Sequence, residues 1–141
     1  AYHPGRQWLV DNEMNPDKAK CVEISNAKNF VDWTIAQPYM VLHEMAHAYH
    51  DQFLPKGFEN PAVLKAFQTA MKAGQYQKVL RWNGQEVKHY STTNQMEYFA
   101  EATEAYFGTN DYYPFIRPEL ELFDAGGARA VEAAWGLTKE K

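Results

Sequence analysis

The stretch His43-Glu44-Met45-Ala46-His47 sets two imidazoles four residues apart, with a carboxylate directly after the first. On a helix, residues at that spacing are offset by only about 40° around the axis and about 6 Å along it. His43 and His47 would then point the same way, one turn apart, and could both ligate one metal ion. Glu44 would reach a water on that ion without being a ligand itself. Two neutral imidazoles hold zinc with little quenching of its charge, and the nearby carboxylate can take a proton from the bound water. The chemistry indicated is zinc-assisted hydrolysis, with His43 and His47 as metal ligands and Glu44 as general base. The same letters also fit an ordinary helix that carries polar residues. Burying two unpaired histidines and a glutamate is costly, however, and that cost favours the metal.

His50 extends the series to H-E-x-x-H-x-x-H. It lies about 10 Å along the axis from His43, too far to share its ion on an unbroken helix. It is read as a surface residue or as support behind the ligands. The metzincin pattern needs Gly at position 50 and His at position 53, where His50 and Phe53 stand, so that subclass is excluded. A catalytic zinc takes a third protein ligand, and the best supply is the run YSTTNQMEYFAEATEAYFG over residues 90–108. Glu97 and Glu101 share a helical face there, with Glu104 close by and apolar flanks from Met96, Phe99, Ala100, Thr103 and Phe107. Of two inward carboxylates, one can bind the ion and the other can accept the free N–H of a ligating histidine. A solvated acidic stripe is the plainer alternative. Asp111, in Gly108-Thr109-Asn110-Asp111, is a rival third ligand that echoes the G-T-x-D of aspartate-ligated zincins. The tyrosine and glycine that should follow it do not fall in place, and it ranks behind the glutamates.

These residues need particular elements to hold them. Pro38 stands where a helix tolerates its first-turn proline, and Val41, Leu42, Met45, Ala46 and Tyr49 follow at helical spacing. A helix is predicted from about Pro38 to Phe53, ended by Pro55 and Gly57. Asn60-Pro61 opens a second, with Val63, Leu64, Phe67 and Met71 on one face and Gly74 as its stop. Thr92 or Thr93 is the expected cap of a third, running to Phe107 with Gly108 behind it. Gln7–Val10 and Lys20–Ser25, rich in Val, Ile and Trp around the cluster Asp11–Asp17, predict two strands. Lys78–Trp82 and Gln85–Tyr90 flank Asn83-Gly84 and predict a hairpin. Glu119–Phe123 and Ala128–Leu137 predict two closing helices. The fold class expected is α+β, a small sheet with helices packed on it.

A chain of 141 residues suits one domain with a buried core. Its 45% hydrophobic and 23% charged residues are those of a soluble globular protein. Nine Tyr, eight Phe and four Trp suit a core, and equally a cleft that grips extended peptide or sugar. A net charge of −4 without any run of Lys or Arg argues against a nucleic-acid partner. No apolar run is long enough to cross a bilayer, so no membrane partner is expected. Cys21 stands alone, which rules out an internal disulfide and a four-cysteine zinc knot, and its context does not pair it with the site. The opening AYHPGRQWLV lacks the apolar region of a signal peptide and begins without Met. That fits a mature form after cleavage or the C-terminal part of a longer chain, with a secreted or periplasmic setting favoured.

Taken together, the residues resemble a known family. Tyr90, Thr93-Asn94 and Glu97-Tyr98-Phe99-Ala100-Glu101 stand as in the zinc-site helix of the metallopeptidase domain of anthrax lethal factor and its relatives. His43-Glu44-x-x-His47-Ala48, with Asp51 shortly after, is similar to the family's first site helix. The resemblance covers about Met40 to Phe107, leaving the flanking segments and Pro55–Lys88 unmatched; the latter is a candidate wall of the cleft. It implies a small gluzincin-type, zincin-like domain, its short mixed sheet packed on the H-E-x-x-H helix and a second ligand-bearing helix. It further implies one zinc ion on His43, His47 and Glu97, with Glu44 as base. Glu101 would orient a histidine, and Tyr90 would assist at the metal by stabilising the oxyanion or protonating the leaving amine. The function expected is a zinc metallopeptidase acting on peptide or protein. Alternatives are a deformylase-like zinc amidase on a small substrate, a non-catalytic metal-binding interaction module, or a purely structural zinc site.

Overall fold

The computed structural model describes residues 1–137, and helix dominates them. In chain order these are α1 (Arg6–Asp11), α2 (Ala27–Trp33), α3 (Met40–Phe53) and α4 (Pro61–Ala73). Strands β1 (Val79–Leu80) and β2 (Glu86–Val87) follow, then α5 (Gln95–Phe107), α6 (Arg117–Phe123) and α7 (Ala125–Ala134). The two strands pair antiparallel, Val79 with Val87 and Leu80 with Glu86, and form the only sheet among the described residues. The composition is compatible with an α+β class strongly weighted to helix. The short mixed sheet expected to pack on the site helices is not found among these residues.

Local chemistry sets most helix ends. The Asn60 side chain accepts from the N–H groups of Ala62 and Val63, both at 3.1 Å, and Pro61 occupies the first turn of α4. Gly74 then ends it in the left-handed conformation, φ +77°, that a residue with a Cβ avoids. Helix α5 begins one or two residues later than Thr92 or Thr93 would place it. Asn94 is the cap, accepting from Glu97 N–H at 2.9 Å, while Thr92 closes a 3-10 turn over Tyr90–Thr92 by donating its hydroxyl to the His89 carbonyl. The Asn83-Gly84 pair does turn the hairpin, but within a three-residue loop. Arg81 N–H already donates to Gln85 O at 2.8 Å, which puts Trp82 in the turn and Gly84 at φ +81°.

The two N-terminal strands are corrected. Gln7–Val10 lies within α1, where Leu9 is fully buried and Trp8 and Val10 face solvent, 55% and 53% exposed. One inward side chain among β-favouring neighbours reads as strand alternation, and a single helical turn satisfies it equally well. Lys20–Ser25 contains no strand; it meets residues 1–3 through one antiparallel bridge, Tyr2 with Val22.

Helices α3 and α5 form the centre. They run antiparallel: Tyr39 lies against Gly108, His43 meets Glu104 and His47 meets Glu97. A Cβ on Gly108 would fall 2.3 Å from the Tyr39 ring, so glycine lets the start of α3 settle on the end of α5. Ala46 and Ala100 are wholly buried in the core these helices share with Val63, Phe99, Leu120 and Val131. Helices α4, α6 and α7 also pack on α5, and every α5 residue from Tyr98 to Tyr106 is buried. A helix enclosed on this scale can carry carboxylates only where something answers them.

Candidate metal centre

Along α5, residues 97, 101 and 104 fall within a stripe about 60° wide, since seven residues nearly complete two turns. Along α3, His43 and His47 form the matching stripe. Where the stripes meet, His43 Nε2 lies 2.9 Å from Glu97 Oε2 and 3.1 Å from His47 Nε2, and His47 Nε2 lies 3.2 Å from the same carboxylate oxygen. Three donor atoms thus converge on one point. An ion bound at about 2.0–2.1 Å with tetrahedral angles sets its donors about 3.3 Å apart, and the three observed separations come close to that. Two imidazoles and one carboxylate are also a donor set that zinc accepts. The residues fit the ion.

The electrostatics of the cluster ask for a cation. Burial alone would pull His43 down, but Glu104, Glu97 and Glu101 outweigh it and lift its pKa to about 11. Burial likewise would raise Glu97, yet its bonds to His43 and His47 hold it at about 2. Without a metal, a proton on His43 supplies the positive charge these carboxylates require.

Behind the donors, His43 Nδ1 meets Glu104 Oε1 at 2.7 Å and Glu101 Oε1 at 3.7 Å. The residue orienting His43 is therefore Glu104, not the Glu101 expected from the resemblance. Glu101 is 3% exposed, and its Oε2 has no hydrogen-bond partner among the described residues. Burial lifts both carboxyls above their usual range, and the nearby Glu104 charge lifts Glu101 further. The sequence did carry a signal for Glu104: it stands seven residues after Glu97, on the same stripe.

The donors lie in a cleft of about 510 Å³, whose lining includes Tyr2, Glu44, Tyr90, Asp111 and Tyr112. Glu44 follows His43 into the cleft, and its Oε2 accepts from the main-chain N–H of Tyr2 at 2.6 Å. Tyr90 stands on the 3-10 turn before α5, 46% exposed, its hydroxyl 3.5 Å from Glu97 Oε1. His89 fixes that turn: its buried ring accepts from Ser91 N–H at 3.0 Å through Nδ1. On another side of Glu44 opens a smaller, mainly apolar recess lined by Val22, Ile24, Phe30, Trp33, Met40 and Val41.

Other expected residues lie elsewhere. Asp111, the rival ligand, faces the cleft but pairs with Arg81 at 3.4 Å and does not join the donors. His50 is not on the surface, and it makes no hydrogen bond to the ligands. It is fully buried between Phe58 and Phe99, and neither ring nitrogen has a partner among the described residues. Cys21 is exposed and apart from the site. No residue of Pro55–Lys88 lines the cleft, so that segment is not its wall. No described helix is long and apolar enough to cross a membrane.

No family model, no curated protein and no solved structure matches the chain significantly.

Proposed function

We propose that this chain is a zinc-dependent metallopeptidase of the gluzincin type, similar to the lethal factor metallopeptidase domain and its relatives. One observation carries the proposal: two histidine Nε2 atoms and one Glu97 oxygen lie within 3.2 Å of one another inside a cleft that Glu44 and Tyr90 also line. A zinc ion held by His43, His47 and Glu97 would supply Lewis acidity toward water and a carbonyl oxygen. Glu104 accepts from His43 Nδ1–H, which fixes the tautomer that offers the Nε2 lone pair to the ion. Glu44 takes a proton from the attacking water and passes it to the leaving nitrogen. Tyr90 lies within reach to donate its hydroxyl to the oxyanion, a bond worth a few kcal/mol at such a barrier. The apolar recess beside Glu44 favours a peptide over a very small amide, since it suits a side chain next to the scissile bond.

The test is metal analysis of the purified protein, followed by peptide-library cleavage with and without chelator. The expected result is one zinc per chain and cleavage that chelation abolishes and zinc restores. Glu44→Gln should keep the zinc and lose nearly all turnover. Undiminished turnover in that variant would refute the base. Zinc binding with turnover only of small formyl or acetyl amides would favour the amidase instead.

A further inference from the structure

Tyr2 reaches α3 twice. Its main-chain N–H donates to Glu44 Oε2 at 2.6 Å, and its side-chain hydroxyl donates to Asp51 Oδ2 at 2.6 Å while accepting from Gln52 Nε2 at 3.1 Å. Glu44 and Asp51 are seven residues apart, two turns along one face of α3. The tyrosine thus lies along that face, 8% exposed, with its backbone over one carboxylate and its phenol on the other. Burial and the Asp51 carboxylate push the phenol well above its usual pKa, so it stays a donor.

The backbone around Tyr2 is held independently. Glu23 N–H donates to Ala1 O at 2.8 Å and His3 N–H to Cys21 O at 3.1 Å, flanking the Tyr2–Val22 bridge. Those bonds use the groups on either side of Tyr2. The Tyr2 N–H therefore points away from the 20–23 segment and toward the cleft, as alternation along an antiparallel pair requires. Glu44 Oε1 accepts no hydrogen bond among the described residues; the Ala1 ammonium, which donates to the Glu23 carbonyl, forms a long ion pair with it at 3.9 Å.

We infer that Tyr2 is a positioning residue for Glu44: its main-chain N–H pins one carboxylate oxygen and leaves the other aimed into the cleft to receive a proton. This rests on Glu44 serving as the base of the proposed hydrolysis. A carboxylate free to rotate about its last torsions spends much of its time misaimed. A charge-assisted bond to a main-chain donor removes that freedom without adding a competing charge. The phenol's bonds to Asp51 and Gln52 fix the depth of the donor above α3.

The inference is tested by amide exchange and by kinetics on the full chain. In the metal-free protein, the Tyr2 amide should be protected, and Glu44→Ala should speed its exchange at least about tenfold while His3, bonded to Cys21, stays protected. Unchanged exchange at Tyr2 in Glu44→Ala would overturn the inference. Tyr2→Pro removes the N–H and the phenol together but breaks neither neighbouring main-chain bond, since that N–H is not used in the pairing. It should lower kcat about tenfold or more, with KM and zinc affinity unchanged. Tyr2→Phe, the gentler variant, keeps the N–H but loses the Asp51 anchor and should lower kcat less. A fall in zinc affinity or a rise in KM, with kcat held, would mark a merely structural contact and overturn the inference. Wild-type protein that cleaves no peptide while Tyr2 exchange still responds to Glu44→Ala would instead count against the proposed function.

Discussion

Helix α5 borders two buried carboxylate clusters, and they are built on opposite terms. Beside Tyr98, Asp124 Oδ2 accepts from the hydroxyls of Tyr98 and Tyr76 at 2.6 and 2.9 Å, and Asp124 Oδ1 accepts from Gly127 N–H at 2.8 Å. Both oxygens are in use, and the donors are neutral. On the Glu97–Glu101–Glu104 stripe, three carboxyls face two imidazoles, Glu101 Oε2 lacks a partner among the described residues, and donor atoms of His43, His47 and Glu97 converge. The first cluster is complete as a piece of architecture, capping α7 and joining it to α5. The second leaves capacity open, which the proposed zinc would take up. Burial is common to both; what separates a structural cluster from a binding one is whether its hydrogen-bond capacity is filled by the chain itself.

Four perturbations should widen or erase that contrast. The largest effect is expected for Glu97→Ala, which removes a donor without disturbing the core. It should abolish stoichiometric zinc uptake, as read by competition with a chromophoric chelator, while far-UV circular dichroism stays unchanged. Asp124→Ala should do the reverse. It strands two buried phenols and uncaps α7, so chemical denaturation should show a loss of about 2–4 kcal/mol, with zinc affinity of the folded protein intact. Glu104→Gln comes next, since it replaces the charged partner of His43 by a neutral one, and zinc should bind about tenfold more weakly. Glu101→Gln sharpens the comparison. An amide copies the protonated acid that burial already favours at that position, so the same assay should register little change.

A separate effect, on stability rather than on the metal centre, concerns pH. Burial holds His50 at about 4 and His89 at about 3, against about 6.5 in the unfolded chain. The unfolded state therefore binds protons first. The stability that these two neutral rings confer is complete above pH 6.5 and is lost as pH falls toward 4 and then 3, by about 1.4 kcal/mol per pH unit for each ring. His50→Leu should flatten the acid limb of a stability–pH curve without weakening zinc binding at neutral pH.

The candidate site was more legible in the sequence than the fold around it. His43, Glu44 and His47 declare themselves because helical spacing is a local rule, and α3 forms within two residues of its expected start. Glu97 and Glu104 follow from the same rule applied to α5. Choosing which carboxylate orients His43 was beyond that rule, because it depends on how two helices cross. His50 misled for a related reason: the rings of Phe58 and Phe99 that enclose it are distant in sequence, and nothing at position 50 announces them. The N-terminal strands failed because α1 buries only Leu9, too little to show a helical period. The contact of Tyr2 with Glu44 left no trace, since a main-chain N–H has no residue type.

The most direct measurement is calorimetric titration of zinc into the metal-free protein at neutral pH, in two buffers of different ionisation enthalpy. His43, held near pKa 11 by its carboxylates, enters the titration protonated and must give up that proton to ligate. The expected result is one ion per chain with about one proton released. Absence of saturable binding, or binding that persists in full after Glu97→Ala, would contradict a centre formed by His43, His47 and Glu97.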